Sequence, residues 1–467
     1  MKVFNNLANN SSNLSFIAED GRKLTYNNLL VDADYFSEKI KERSLIFIIT
    51  RNNYDCIVGY VGAFRANAVV VLIDNSIHES LFNDLIVRFK PSLVYKPQNI
   101  FSHKDDWKQN LRIGEYGLFE TNIEINYEIN KDLSLLLMTS GSTGSPEFVR
   151  LSHNNIFSNT KAICEYLKIS NNDVAITTLP MSYSYGISII NTHLFKGASL
   201  ILTDTSLMEN KFWDIILRFK ATTFGGVPYT FEMLKKLRFY NMDLPSVTTI
   251  TQAGGKMNID LNSELAKFCK KNNKRLFIMY GQTEASPRMS YLPYQKAISK
   301  LGSVGIAIPG GEFNIIDHND EVISEPNVEG ELVYKGNNVS LGYANCINDL
   351  SKGDENNGIL YTGDIAKMDK EGFYYITGRK KRFIKLFGNR INLDEVEGLL
   401  KNIAKDCVCI GNDNQMIVYI CDHSIIKEIS NFLSLKLGLH NSVFSIRIIE
   451  EIPKNSFGKT IYSKLSM

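Results

Sequence analysis

The segment LLLMTSGSTGSP, residues 135–146, runs an apolar stretch into a loop of glycines and small hydroxylated residues. Gly141 and Gly144 admit backbone conformations closed to other residues, so N–H groups there can converge on an anion. The hydroxyls of Thr139, Ser140, Ser142 and Thr143 add further donors. The spacing fits neither G-x-x-x-x-G-K-[ST] nor G-x-G-x-x-G, and Ser/Gly loops are common on surfaces, so the segment alone leaves phosphate binding and a plain turn both open. FGKT at 457–460 is no Walker loop, because Pro453 stands where that motif needs glycine. Glu284 in YGQTEA could hold a divalent cation, although T-E-A is equally a helix cap. Asp364 in YTGD could accept two hydroxyls, and Lys459 could neutralise an anion, although lone charged residues usually face solvent.

These residues need a scaffold, and the chain is long enough to build one. Its 467 residues suit roughly two or three domains. A hydrophobic share of 44% with 22% charged residues supports a sizeable core and excludes whole-chain disorder. Lys plus Arg is 52 and Asp plus Glu is 50, a net charge of +2, so no basic field for nucleic acid or anionic lipid exists and any phosphate must be bound locally. The 7 cysteines are scattered without a C-x-x-C pair, which argues against a disulfide framework or zinc site. No apolar stretch approaches the ~18 residues of a membrane span, and the amino terminus has no apolar core of signal-peptide length. A reduced, cytoplasmic protein is expected.

Apolar spacing predicts a helix over LTYNNLLVDADYFSEKI (24–40), a buried strand over SLIFIIT (44–50), a further helix, and a strand at 69–73. Comparable apolar runs end at Gly141, Met181, Thr205 and Gly255, with helical patterns between most of them. Such alternation predicts parallel sheet covered by helices, with ligands at the carboxyl ends of strands. After about Gly302 short alternating strands with glycine turns predict an antiparallel β-rich subdomain, about 302–376. The basic run GRKKRFIK marks a boundary, giving an α/β domain over 1–379 and a small α+β domain over 380–467.

Taken in order, TSGSTGSP, YGQTEA, GELVYKGNNVSLGY, YTGD, GRKKRFIKLFG and PKNSFGK resemble the adenylate-forming superfamily of acyl-CoA synthetases, luciferases and carrier-protein-loading ligases. The resemblance covers nearly the whole chain. It implies that ATP and a carboxylic acid give an acyl-adenylate and pyrophosphate, after which a thiol of coenzyme A or of a carrier protein's phosphopantetheine takes the acyl group. By position in the motifs, Thr139, Ser140, Gly141, Ser142, Thr143 and Gly144 would hold the β- and γ-phosphates, Thr283 the α-phosphate and Glu284 the Mg²⁺. Tyr280, with Gly281 and Gln282, would receive the adenine, Gly254, Gly255 and Lys256 would line the nucleotide and acyl pocket, and Asp364 and Arg379 would hold the ribose and phosphate. Lys459 would reach from the small domain to bridge the substrate carboxylate and the α-phosphate. Lys381 would be the hinge about which that mobile domain turns, and Gly388 would line the thiol tunnel.

Two departures from the family pattern matter. Where P-K-G is usual, Pro146, Glu147 and Phe148 stand here. Two like charges about 4 Å apart repel by roughly 1 kcal/mol in water and about 4 at an effective dielectric of 20, so Glu147 is expected to face away from the triphosphate and point to solvent. Arg150 or Lys385 would then supply the missing positive charge, or the chain is a non-catalytic nucleotide-binding homologue. The second departure lies in LPMSYSYGIS, where Tyr183, near Gly186, occupies a position often held by His and would gate the substrate pocket. No Asp or Glu lies between Leu179 and Lys196, which favours an acid without a free α-amine. Against that, AGGK at Ala253 resembles amino-acid activators and stand-alone carrier-loading ligases, so an amino-acid-activating ligase stays open and a carrier protein is the favoured acceptor. Arg288 would pair with a second anionic group on the substrate or be structural.

Overall fold

The structure, a computed structural model, describes residues 3–101, 107–123, 127–139, 147–386, 389–401, 403–412, 415–437, 443–455 and 458–466. It divides into two compact units. The first takes in most of the chain up to Glu312 together with Tyr334–Leu360, and the second holds Phe313–Val333 and Tyr361–Met467. This division follows packing and differs from the 379/380 boundary expected from the sequence.

The first unit contains two large sheets. In the eight-stranded one, Leu45–Thr50 lies between Val69–Asp74 and Leu93–Pro97, all parallel, and Leu133–Thr139 (β1) continues the parallel run beside Val69–Asp74. LIFIIT is buried at every position, as expected of a strand covered on both faces. Glu147–Ser152 (β2) then pairs antiparallel with β1. The nine-stranded sheet is built around three parallel neighbours, Thr223–Gly226 (β3), Thr249–Gln252 (β4) and Arg275–Gly281 (β5), with Arg288–Leu292 (β6) antiparallel at the side of β5. Two helices cover it near the site, His153–Leu167 (α1) and Ser184–Lys196 (α2). Ser152 caps α1 reciprocally with Asn155, and Gly197 ends α2 at φ +68.

The helix predicted over 24–40 is shorter, Tyr26–Ser37. Thr25 caps it, its hydroxyl accepting from Asn28 N–H while the Asn28 side chain accepts from Thr25 N–H. Leu24 belongs instead to a short strand, Lys23–Thr25.

In the second unit Ile359–Met368 (β7) pairs antiparallel with Tyr374–Arg379 (β8) inside a four-stranded sheet that begins at Gly311. The expected β-rich segment is therefore present, ending at Arg379. Beyond it a helix, Leu393–Leu400, packs Val396 and Leu400 with Val418 and Ile420 of a three-stranded sheet, a separate small core.

Candidate active site

Parallel register aligns the carboxyl ends of the central strands. Gly226 of β3 pairs with Gln252 of β4, and Gln252 with Ile278 of β5, so β3 and β4 end at one level, β5 runs on to Gly281, and the segments 253–256 and 282–284 follow at the same carboxyl edge of the sheet. Gly254 turns there at φ +86, where a Cβ would meet the Tyr183 hydroxyl at 2.5 Å. Gly255 and Lys256 are exposed. Tyr280 is half-buried at the end of β5, and a bulge follows it in the pairing with β6. At Gly281 a Cβ would lie 1.8 Å from the Pro287 carbonyl oxygen. Gly281→Ala is therefore expected to push the 280–284 loop off its neighbour at a cost of about 1–3 kcal/mol, readable as a lowered denaturation midpoint.

The motif then turns through Gln282 into a short 3₁₀ segment, Thr283–Ala285. Thr283 Oγ1 meets Ser184 Oγ at 3.2 Å, at the start of α2. Glu284 Oε1 accepts from the Tyr343 hydroxyl at 2.8 Å, and its carbonyl accepts from Ser340 N–H. Burial, then the Glu284 charge, raise the Tyr343 hydroxyl well above its ordinary pKa, so it donates throughout the physiological range. Among the described residues no basic side chain pairs with Glu284 and no three metal-ligating side chains cluster. A half-buried carboxylate with no countercharge, beside a hydroxyl, fits Mg²⁺ held by one protein oxygen, phosphate oxygens and water.

Thr139 ends β1, its hydroxyl donating to the Glu147 carbonyl at 3.2 Å. Ser140, Gly141, Ser142, Thr143 and Gly144 lie outside the described residues, as does Gly388. The Glu147 carboxylate is half-buried and accepts from the Asn345 amide at 3.2 Å. Arg150 corrects the expectation that it supplies charge to this loop. It is fully buried, donating to the carbonyls of Tyr343, Leu341, Lys352 and Gly353 and to the Glu355 carboxylate, so every part of its guanidinium is used in clamping 341–355 to β2. The side chain of Lys385 lies outside the described set.

In the second unit Asp364 on β7 and Arg379 on β8 are direct cross-strand partners, with Arg379 Nε 3.0 Å from Asp364 Oδ1. Asp364 is 2% exposed, whereas Arg379 is largely exposed. Lys381 is exposed between two anchored neighbours: Lys380 pairs with Glu331, and Arg382 pairs with Asp394 and Glu397 while stacking 4.2 Å over Tyr462. Lys459 is exposed on a tight loop in which Asn455 N–H donates to the Lys459 carbonyl and the Asn455 side chain accepts from Lys459 N–H, with Gly458 at φ +73.

Of the three residues expected in the substrate pocket, Arg288 lines a narrow cavity under the sheet, together with Tyr185, Ser188, Thr192 and His193 of α2 and Met279 of β5. Tyr183 caps the start of α2. At Gly186 a Cβ would lie 2.1 Å from the Pro180 carbonyl, so glycine lets the helix sit on that backbone. Sequence reasoning passed over Tyr343, Ser184 and the cavity face of α2. The one sign of that face was polar side chains recurring at helical spacing through Tyr185, Ser188, Thr192 and His193.

A family model described as AMP-binding enzyme matches residues 4–344. The medium-chain fatty-acid–CoA ligase of Escherichia coli K12 is 27% identical over 70% of this chain and 60% of its own length. The 2-succinylbenzoate–CoA ligase of Oceanobacillus iheyensis is 24% identical over 96% of this chain and 95% of its own. The chain spans less than two thirds of the first curated relatives it matches, 60–64% of their length. Among solved structures, O-succinylbenzoate coenzyme A synthetase from Bacillus subtilis in complex with AMP superposes with a TM-score of 0.81 at 20% identity, covering 100% of this chain and 98% of that one. The mostly parallel, helix-covered α/β fold expected from the sequence is thus the fold observed.

Proposed function

The chain belongs to the AMP-binding enzyme family, and we propose that it joins a carboxylic acid to a thiol through an acyl-adenylate. In the first step a carboxylate oxygen attacks the α-phosphorus of ATP and pyrophosphate leaves. In the second a thiol sulfur attacks the acyl carbon, its proton is lost, and AMP leaves. A carboxylate is a poor acyl donor because oxide is a poor leaving group; the mixed anhydride replaces it with AMP. The protein's task is to position the reactants and neutralise charge.

The observation that carries this reading is Glu284, a carboxylate with no basic partner among the described residues, held by Tyr343 next to Thr283 at the carboxyl edge of parallel strands. Bound Mg²⁺ would offset the charge of the phosphate oxygens, with Glu284 as its protein ligand. Thr283 would donate to the α-phosphate, Tyr280 would stack on adenine, and the loop from Thr139 to Gly144 would take the β- and γ-phosphates. Gly254, Gly255 and Lys256 would border the nucleotide. Asp364 would accept from the ribose hydroxyls, its carboxylate oriented by Arg379. Hydrogen bonds to a charged group contribute about 1.5–3 kcal/mol each, so losing two of them in Asp364→Ala should raise the KM for ATP by about two to four orders of magnitude. An unchanged KM would remove Asp364 from the nucleotide site.

Lys459 would neutralise the substrate carboxylate and α-phosphate, and the residues from 380 onward would turn about Lys381 between steps, with Gly388 beside the thiol. Relatives named as CoA ligases support coenzyme A over the carrier protein as acceptor. Seven cysteines without a disulfide support a reduced, cytoplasmic setting, and among the described residues no helix is long and apolar enough to cross a membrane. The reading is tested by incubating the protein with ATP, Mg²⁺, an acid panel and either coenzyme A or a phosphopantetheinylated carrier, then weighing products. Acyl thioester with stoichiometric AMP is expected; ADP and phosphate as products would overturn it.

A further inference from the structure

The cavity beneath the aligned strand ends is walled by a helix face and by the sheet. Tyr185, Ser188, Ile189, Thr192 and His193 project from α2, and Thr251, Met279 and Arg288 come from β4, β5 and β6. Tyr185, which lines it, directly follows Ser184, whose hydroxyl meets Thr283. A free volume of about 20 Å³ leaves room for about one ordered water. Gly225 keeps it open on one side: a Cβ there would come within 2.7 Å of the Tyr185 hydroxyl, which bonds to Thr251 Oγ1.

Arg288 is 3% exposed, and its backbone is fixed by Asn159 and Asn338, whose amides both donate to its carbonyl. Its guanidinium lies 3.9 Å over the Tyr185 ring, and Nε is buried without a hydrogen-bond partner. The groups around it are the hydroxyls of Tyr166, which is hydrogen-bonded to the guanidinium, Tyr183 and Tyr185, all held neutral by burial, so its positive charge meets only neutral groups. No carboxylate among the described residues pairs with it. A buried guanidinium forgoes its hydration, and one aromatic face returns only part of that free energy. His193 presents a second orphan: Nδ1–H donates to the Ile189 carbonyl at 2.8 Å, burial keeps the ring neutral, and Nε2 is a buried acceptor without a partner.

We propose that Arg288 receives a second anionic group on the acid, so that the substrate is a short dicarboxylic acid whose far carboxylate enters this cavity. The inference rests on the acid-activating function above and adds the substrate class. A cavity with room for about one water admits at most an oxygen of the far carboxylate of a short acid, in place of that water, and excludes an extended alkyl chain. Arg288 acts as a specificity residue and takes no part in bond making.

The test compares matched acids, butanoate with succinate and pentanoate with glutarate, by acid-dependent pyrophosphate exchange and by calorimetric binding to the wild-type protein with ATP present. The wild type should favour the dicarboxylates in both assays. Arg288→Met should lower the dicarboxylate-to-monocarboxylate ratio of kcat/KM on the order of 10²-fold, and Arg288→Lys should restore part of it. If Arg288→Met does not fold, wild-type selectivity in exchange and binding decides alone. Preference for monocarboxylates, or a ratio unmoved in Arg288→Met, overturns the inference while leaving adenylation intact, and Arg288 is then a structural cation over Tyr185 with water as its partner. Exchange with neither series but with an aryl, hydroxy or amino acid overturns the inference alone, and exchange with no acid of any class overturns the acid-activating function as well.

Discussion

Lys459→Ala is expected to slow acid-dependent pyrophosphate exchange by on the order of 10²–10³, the cost of deleting a fixed charge or donor aimed at a developing anion. Two anions must meet in the first step, and Lys459 is the residue proposed to offset their repulsion. Its side chain is exposed and its loop is held by backbone bonds to Asn455, so the truncation leaves the local fold in place. Transfer from added acyl-adenylate to the thiol, which brings no second anion to the acyl group, should keep most of its rate. Equal losses in both half-reactions would show that Lys459 supports structure or binding in general and would remove its assigned role.

Arg150→Ala should be among the most destabilising single changes in the first unit. Arg150 is fully buried and serves the carbonyls of Tyr343, Leu341, Lys352 and Gly353 as well as Glu355. A buried acceptor left without a donor costs about 1–3 kcal/mol, so with partial rehydration the loss should be about 3–5 kcal/mol in denaturant unfolding. Arg150→Lys should recover little, because one ammonium cannot span the positions a planar fork reaches. The clamp also fixes Gly342, at φ +118, where a Cβ would come within 2.9 Å of the guanidinium and closer still to Glu355. Because this segment carries Tyr343, the Glu284 partner, the variant should also need more Mg²⁺. ATP affinity measured on the folded fraction at saturating Mg²⁺ should stay near wild type. A stable Arg150→Ala protein with weakened ATP binding would instead restore the charge-supplying role read from the sequence.

What was legible in the sequence follows from how local each feature is. The buried strand at Leu45–Thr50, the helix at Tyr54–Arg65 and the strand at Val69–Asp74 announce themselves through apolar runs, small-residue spacing and turns. The Thr25 cap moved a helix start by two residues because a side chain, rather than apolar periodicity, decides where the first turn begins. Glu284 and Asp364 were singled out through their motifs. Their partners were not, since Tyr343 comes to Glu284 from 59 residues away and Arg379 meets Asp364 only through a β7–β8 register that includes a bulge. Arg150 was misread because its charge was weighed against nearby Glu147, whereas its partners stand 191–205 residues further along. The cavity around Arg288 draws on two helices and strands of one sheet, so its lining could not be assembled from any one stretch.

The central claim, that the chain makes an acyl-adenylate, is tested most directly by following labelled pyrophosphate into ATP in the presence of Mg²⁺ and a panel of mono- and dicarboxylic, aryl, hydroxy and amino acids. Exchange reports the first half-reaction without requiring the right thiol. Exchange should depend on one class of acid, require Mg²⁺ and be lost in Lys459→Ala. Tight ATP binding with no exchange for any acid would contradict it and identify the chain as a nucleotide-binding homologue without turnover.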